Sequence, residues 1–219
     1  MVAARMLGVD DAVVDDPAQQ IPVWPGRPFS VQGQPWQYHE RALLMLHKPA
    51  GYECSRKPRH HPSVLSLLPG PLRTRDVQPI GRLDEDTTGL LLLTDDGALI
   101  HRLTSPRHHV PKVYEVQTKH PLDPRQLQAL LEGVVLHEES VTVKAAAAEI
   151  LSAQHLRLTL EEGKYHQVKR MVAAAGNRVE GLHRSRFGAL ALPDSLRPGQ
   201  WVWVEASQID GSVAAPAAK

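Results

Sequence analysis

Residues 81–97 read GRLDEDTTGLLLLTDDG, with Arg82, Asp84, Glu85 and Asp86 ahead of a run of leucines and Asp95 and Asp96 behind it. Carboxylates in such a place can act as nucleophiles or general bases, and need no metal when a cation keeps them ionised in a water-poor pocket. The two later acids have a plainer assignment. Asp95 stands where a helix through DGALIHRL needs an N-cap, and Asp96 falls in the first turn, where negative charge is favourable. Gly81 to Asp86 is then either a polar turn between buried strands, with Arg82 paired to one acid, or a site.

Other chemistries lack their motifs. No G-x-G-x-x-G follows a strand, and neither G-x-x-x-x-G-K-[ST] nor G-x-S-x-G occurs. The chain has twelve histidines, but His60–His61 and His108–His109 are adjacent pairs without a nearby cysteine or zinc-site spacing, so no metal is expected. Cys54 is the single cysteine, which rules out an internal disulfide and agrees with a reducing compartment. No stretch approaches the ~18 apolar residues of a membrane span, and MVAARMLGVDD lacks a signal-peptide pattern, so a cytoplasmic protein is expected.

The formal charge is +1, yet it is segregated. Residues 1–20 hold Asp10, Asp11, Asp15 and Asp16 against Arg5, whereas 164–186 hold Lys164, Lys169, Arg170, Arg178, Arg184 and Arg186 against Glu180. RKPRHH at 56–61 and Arg102, Arg107 and Lys112 with three histidines at 101–112 add two shorter basic clusters. Any one cluster is an ordinary solvated face; three, each beside an unusual motif, point to a polyanion-binding surface.

The elements that must position these residues follow from pattern. With 219 residues and 42% hydrophobic content the chain can bury one sizeable core. Residues 1–40 are rich in Pro, Gln and Asp and form a small appendage, with VWPGRPFSVQGQPW as strand, turn and strand. LLMLH, VQPI and LLLLT are strands without polar alternation, as expected when both faces are covered. SVLSLLP is a short helix at best, KVYEVQT and HLRLTLEE alternate as half-buried strands, and WVWVE is a last strand. Asp123 and Pro124 start a helix that Gly133 ends; another helix around YHQVKRMVAAAGN stops at Gly176 or Asn177. The tail 206–219 is expected to be mobile. Strands adjacent in sequence without intervening helices predict a mixed α+β sheet rather than repeating βαβ units.

GRLDEDTTGLLLLTDDG resembles the signature of the ribosomal small-subunit type of pseudouridine synthase. The likeness continues through LHKPAGYECS (46–55), HRLTSPRHHVPKVYEV (101–116) and EEGKYHQVKRMVAAAGNRVEGLHRSRFG (161–188), four ordered blocks across roughly 42–205. The resemblance implies a largely antiparallel, bisected β-sheet with flanking helices in a catalytic domain at 41–205. It also implies a cofactor-free isomerase that detaches uracil from C1′ of a uridine in RNA, rotates the base and rejoins it through C5. Asp84 matches the family's indispensable carboxylate, acting either by attack on C1′ or the base or by removing the 2′ proton. Lys169, with Arg170 as the lesser candidate, matches its cationic partner, and Tyr114 matches the active-site tyrosine that stacks on the target base.

A uridine in folded RNA reaches a buried acid only by leaving its stack, and Arg82 suits the role of filling the gap. Arg107, Lys112, Arg170, Arg184 and Arg186 are expected to meet RNA, with Leu182 or Phe187 near the base. Lys48, Pro49 and Gly51 resemble the family's first motif, an architectural turn. Glu85 and Asp86 are expected to order the loop. The expected partner is one uridine of small-subunit rRNA or an assembling particle, met by a monomer. A large-subunit rRNA or tRNA uridine, or a non-catalytic RNA-binding assembly factor, is the alternative. Family members of this type usually carry an S4-like RNA-binding domain; residues 1–40 resemble only its trailing strands and offer acids where bases are usual, so the appendage is a remnant or the start lies upstream of Met1.

Overall fold

A computed structural model of the chain describes residues 6–10, 12–136 and 142–211. The chain divides into two compact units, Met1–Ala42 and Leu43–Lys219. In the first unit, β1 (Leu7–Val9), β2 (Ala12–Val14), β3 (Pro28–Val31) and β4 (Gln34–Gln37) make an antiparallel sheet in the order β2-β1-β3-β4. So small a sheet has little apolar filling. Arg27 supplies some: it is buried, lies 4.4 Å over the Trp24 ring and donates to Asp10 at 2.6 Å.

The second unit is built on one mixed sheet. Its strands are β5 (Leu43–Lys48), β6 (Gln78–Ile80), β7 (Thr88–Thr94), β8 (Lys112–Thr118), β11 (Ala147–Ser152), β12 (His155–Leu160), β13 (Val179–Phe187), β14 (Leu190–Ala191) and β15 (Trp201–Trp203). The order is β11-β12-β8-β13-β7-β5-β15, with β14 beside β13 and β6 beside β7. Every pairing is antiparallel except β13 with β7, so one parallel seam joins two antiparallel halves. The strands β9 (Val134–Val135) and β10 (Thr142–Val143) form a separate ribbon.

The leucine runs of β5 and β7 are buried on both faces, which is why neither alternates with polar residues. Leu43, Met45, Leu90 and Leu92 point into a cluster with Leu103, Phe187, Leu190, Leu196, Val204 and Ile209, while Leu44, Leu46, Leu91 and Leu93 fill the opposite face. Leu103 belongs to α2 (Gly97–Thr104), and Leu99 and Ile100 from the same helix pack against that cluster. A short helix, α1 (Gly70–Arg73), follows a 3-10 turn at Val64–Leu67. The helix α3 (Pro124–Glu132) opens on a reciprocal cap between Asp123 and Gln126, and Gly133 closes it at φ 121°.

At the seam Arg184 lies opposite Gly89. A Cβ on Gly89 would sit 2.3 Å from the Arg184 carbonyl oxygen and 2.6 Å from its nitrogen, and Gly89 has φ 109°, so only glycine lets the two backbones approach.

Three expectations need correction. Asp96, not Asp95, caps α2, its Oδ1 accepting from Ala98 N at 2.9 Å and Leu99 N at 3.1 Å. Asp95 instead accepts from Arg75 Nε at 2.9 Å. The final segment is not mobile from 206: Ala206–Ile209 form α5, and Ile209 is buried in the main core, while 212–219 lie outside the described residues. The helix around YHQVKRM begins only at Gln167, as α4 (Gln167–Ala174), because His166 takes a left-handed conformation at its N-cap. β1, β2, β9, β10, β11, β13 and β14 go beyond the strands expected from pattern. The alanine-rich stretch ahead of β11 favours helix locally, and pairing with β12 overrides it.

Candidate active site

The turn carrying Asp84 is held by its main chain. Lys48, at the end of β5, is fully buried, and its Nζ donates to the carbonyls of Pro49 (3.0 Å), Glu85 (3.0 Å) and Thr87 (2.8 Å). Gly51 N donates to the same Glu85 carbonyl at 2.8 Å, Leu83 N to Cys54 Sγ at 3.5 Å, and Thr87 N to Asp84 O at 3.2 Å. A buried ammonium needs acceptors, and these carbonyls supply them. The Lys48–Gly51 turn thereby fixes the backbone after Asp84 and Cys54 holds Leu83 before it, while the Asp84 side chain lines a cavity of about 750 Å³.

Two groups bracket the carboxylate. Lys169 Nζ lies 3.2 Å from Asp84 Oδ2, and His166 Nε2 lies 3.2 Å from Oδ1. Lys169 is shared: it also donates to both oxygens of Asp86 at 2.7 and 2.8 Å. Burial works against the lysine's charge, but the Asp86 bonds and the Asp84 charge outweigh it and raise its pKa. Burial likewise works against Asp86, and the Lys169 hydrogen bond and charge outweigh it, holding its carboxyl low. The loop before α4 is braced by Gln167, which accepts from Lys164 N at 2.8 Å and donates to Glu162 at 2.7 Å.

Strand alternation in β8 turns Lys112, Tyr114 and Val116 inward, and Tyr114 lines the cavity with Asp84 and Lys169. The three residues of the central expectation therefore meet in one pocket. Arg82 is exposed on its wall. Phe187 and Leu182 line it as well.

The other expected RNA contacts divide. Lys112 and Arg184 are buried rather than presented to phosphates on the surface. Each is tied to main chain, Lys112 Nζ donating to Val110 O and Arg184 Nε to Leu90 O, both at 2.8 Å. Both flank the Phe187 ring, at 5.6 and 5.4 Å. They are cations within the pocket lining, there because the alternation of β8 and the register of β13 turn them inward. Burial, helped by the Arg184 charge, pulls the Lys112 pKa down to about 8. Arg107 and Arg186 are exposed outside the cavity, and Arg170 donates to the Tyr165 carbonyl at 3.2 Å.

The loop at 53–61 forms another wall. Glu53 accepts from the backbone N–H groups of Arg59, His60 and His61, and those bonds bring its pKa to about 2. Glu85 faces His61 at 3.4 Å. Among the described residues no group of three or more His, Cys, Asp and Glu is gathered to hold a metal.

Sequence reasoning missed His166 and the Asp86–Lys169 bond. No spacing rule marks His166, which stands at the N-cap of α4 in a left-handed conformation, outside the helical geometry that puts residues three apart on one face. Chemically, a carboxylate bracketed by an ammonium and an imidazole, in a cavity that a tyrosine also lines, can act as nucleophile or base on a neutral ring.

Comparison with known proteins bears on this geometry. The family model for RNA pseudouridylate synthase matches residues 42–174. The ribosomal small subunit pseudouridine synthase A of Yersinia pestis is 44% identical, over 97% of this chain and 89% of its own length. The protein of the same name from Escherichia coli K12 is 43% identical, over 91% and 86%. A crystal structure of a pseudouridylate synthase superposes with TM-score 0.74 at 37% identity, covering 97% of this chain and 90% of that one. A family match over more than half of the sequence, with relatives this similar along nearly all of it, makes the chain a member of the RNA pseudouridylate synthase family and hence an isomerase.

Proposed function

We propose that this protein converts a uridine of small-subunit ribosomal RNA to pseudouridine, with Asp84 as the carboxylate that opens the glycosidic linkage. The observation that carries the reading is the bracketing of Asp84 by Lys169 and His166, each at 3.2 Å, at a cavity also lined by Tyr114. The relatives' names supply the substrate class.

In this reading the target uridine leaves its stack and enters the cavity, which lies within the ~300–1,000 Å³ typical of small-ligand sites. Asp84 attacks C1′ or the base, or removes the 2′ proton, with the Lys169 ammonium beside it. The C1′–N1 bond breaks and its electron pair stays on the ring. The ring turns, C5 bonds to C1′, the C5 proton is lost and N1 regains one, so the product is an isomer of the substrate. Tyr114 packs against the base, and Lys112 and Arg184 place positive charge beside the ring while it carries the electron pair.

The test is to incubate the protein with unmodified small-subunit RNA or particles and map pseudouridine by carbodiimide-dependent primer extension. A new stop is expected with the parent protein and none with Asp84→Asn, which removes ionisation but little volume and keeps RNA binding. Product from Asp84→Asn at the parent rate would assign the chemistry to another acid.

A further inference from the structure

Immediately before α4 two neighbouring rings lie face to face. The Tyr165 and His166 centroids are 3.8 Å apart with 22° between their planes. His166, the inner member of that stack, has φ 48° and ψ 32°, a left-handed conformation that a non-glycine residue rarely holds and that clusters at functional sites. The inner ring is engaged, since His166 Nε2 contacts Asp84 Oδ1 at 3.2 Å. The outer ring is not covered: Tyr165 is 69% exposed at the edge of the cavity that holds Asp84. Lys164 lines the same edge, and Arg170 binds the Tyr165 carbonyl.

An open aromatic face with cations beside it matches the chemistry of single-stranded nucleic acid, whose bases stack on tyrosine while lysine and arginine meet the phosphates. We infer that the outer face of Tyr165 is a stacking subsite for the nucleobase immediately flanking the uridine held at Asp84. The inference rests on the proposed action of the Asp84 pocket on RNA. His166 sets the spacing: one ring separates Asp84 from Tyr165, so a base on Tyr165 belongs to a neighbouring nucleotide and not to the uridine itself. His166 also links the two sites, since one ring touches both the carboxylate and the platform.

The probe is a short single-stranded RNA with a central uridine and 2-aminopurine on its 5′ or 3′ side, added to the full chain, to Tyr165→Ala and to Tyr165→Phe. Binding to the parent is expected to quench the fluorophore on one side, Tyr165→Ala to lose that quench, and Tyr165→Phe to keep it. On unmodified small-subunit RNA, Tyr165→Ala is expected to raise KM about tenfold, with the loss on KM rather than kcat and recovery in Tyr165→Phe. Equal quench in parent and Tyr165→Ala overturns the subsite, as does an unchanged KM. Tyr165→Phe as damaged as Tyr165→Ala also overturns it, because the hydroxyl and not the ring face would then be at work. Asp84→Asn separates the two readings: its quench reports the stack without turnover, whereas a parent protein that binds and quenches but forms no pseudouridine sinks the catalytic reading alone.

Discussion

Asp84 does not own its lysine. Lys169 binds Asp86 more closely, at 2.7 and 2.8 Å, than it approaches Asp84 at 3.2 Å, so the catalytic carboxylate of the proposed reaction is neutralised only in part. Lys169→Met is expected to lower kcat/KM by about a hundredfold or more, in the range for loss of one electrostatic partner, while an unchanged rate would move the role to Arg170. Lys112 yields a pH prediction. Its ordinary value is 10.5 and its value in the fold about 8, so the protonated form is disfavoured by folding. The penalty is complete below pH 8 and fades as pH rises from about 8 to 10.5; over that window this group adds stability while the pocket loses a positive charge. Product formation is expected to fall on the alkaline side with a midpoint near 8, and Lys112→Arg to move that fall to higher pH. Identical alkaline limbs in the two proteins would take Lys112 out of the reaction. Motif blocks mark Asp84, Tyr114 and Lys169, which the fold brings to one cavity. His166 was not legible, because its position depends on a left-handed N-cap that no apolar periodicity encodes. Arg184 was misplaced for a related reason: its arginine-rich surroundings do not declare the strand whose register turns it inward.

Among the elements, the β7–β13 seam carries the sharpest prediction. Gly89→Ala drives a Cβ into the Arg184 backbone at a φ unsuited to alanine, and is expected to cost about 3 kcal/mol or more in denaturant unfolding. Gly97→Ala is the control. Nothing lies within 4 Å of its added Cβ, and at the first position of α2 the change is expected to be neutral or stabilising by about 0.5 kcal/mol. Comparable losses in both would show that the close approach at Gly89 is not what matters. The seam was invisible in sequence. LLLLT announces a buried strand, but its parallel neighbour comes from GLHRSRF, whose arginines and histidine give no sign of a buried strand. Those polar residues are accommodated because Arg184 bonds the Leu90 carbonyl and His183 bonds Thr88 across the joint. By contrast, the caps of α3 were legible to the residue, since Asp123, Pro124 and Gly133 each impose a constraint that acts within the segment itself.

At the scale of the whole molecule, the main sheet, the core cluster and the cavity all lie within Leu43–Lys219. A chain beginning at Arg41 is expected to melt cooperatively and to form pseudouridine in a short RNA, with altered preference among longer RNAs; calorimetry and primer extension check the two parts. Loss of the cooperative melt would show that the first unit is needed for folding. The small unit was legible as an appendage from its proline-rich, acidic composition, but not as a four-stranded sheet, because VDDAVV is too short to declare a hairpin. The parallel seam has one more consequence. It brings together residues 89 and 184, so Leu182, Arg184 and Phe187 cannot line the cavity until β13 has been synthesised. Products of interrupted translation that stop short of β13 are therefore expected to form no pseudouridine.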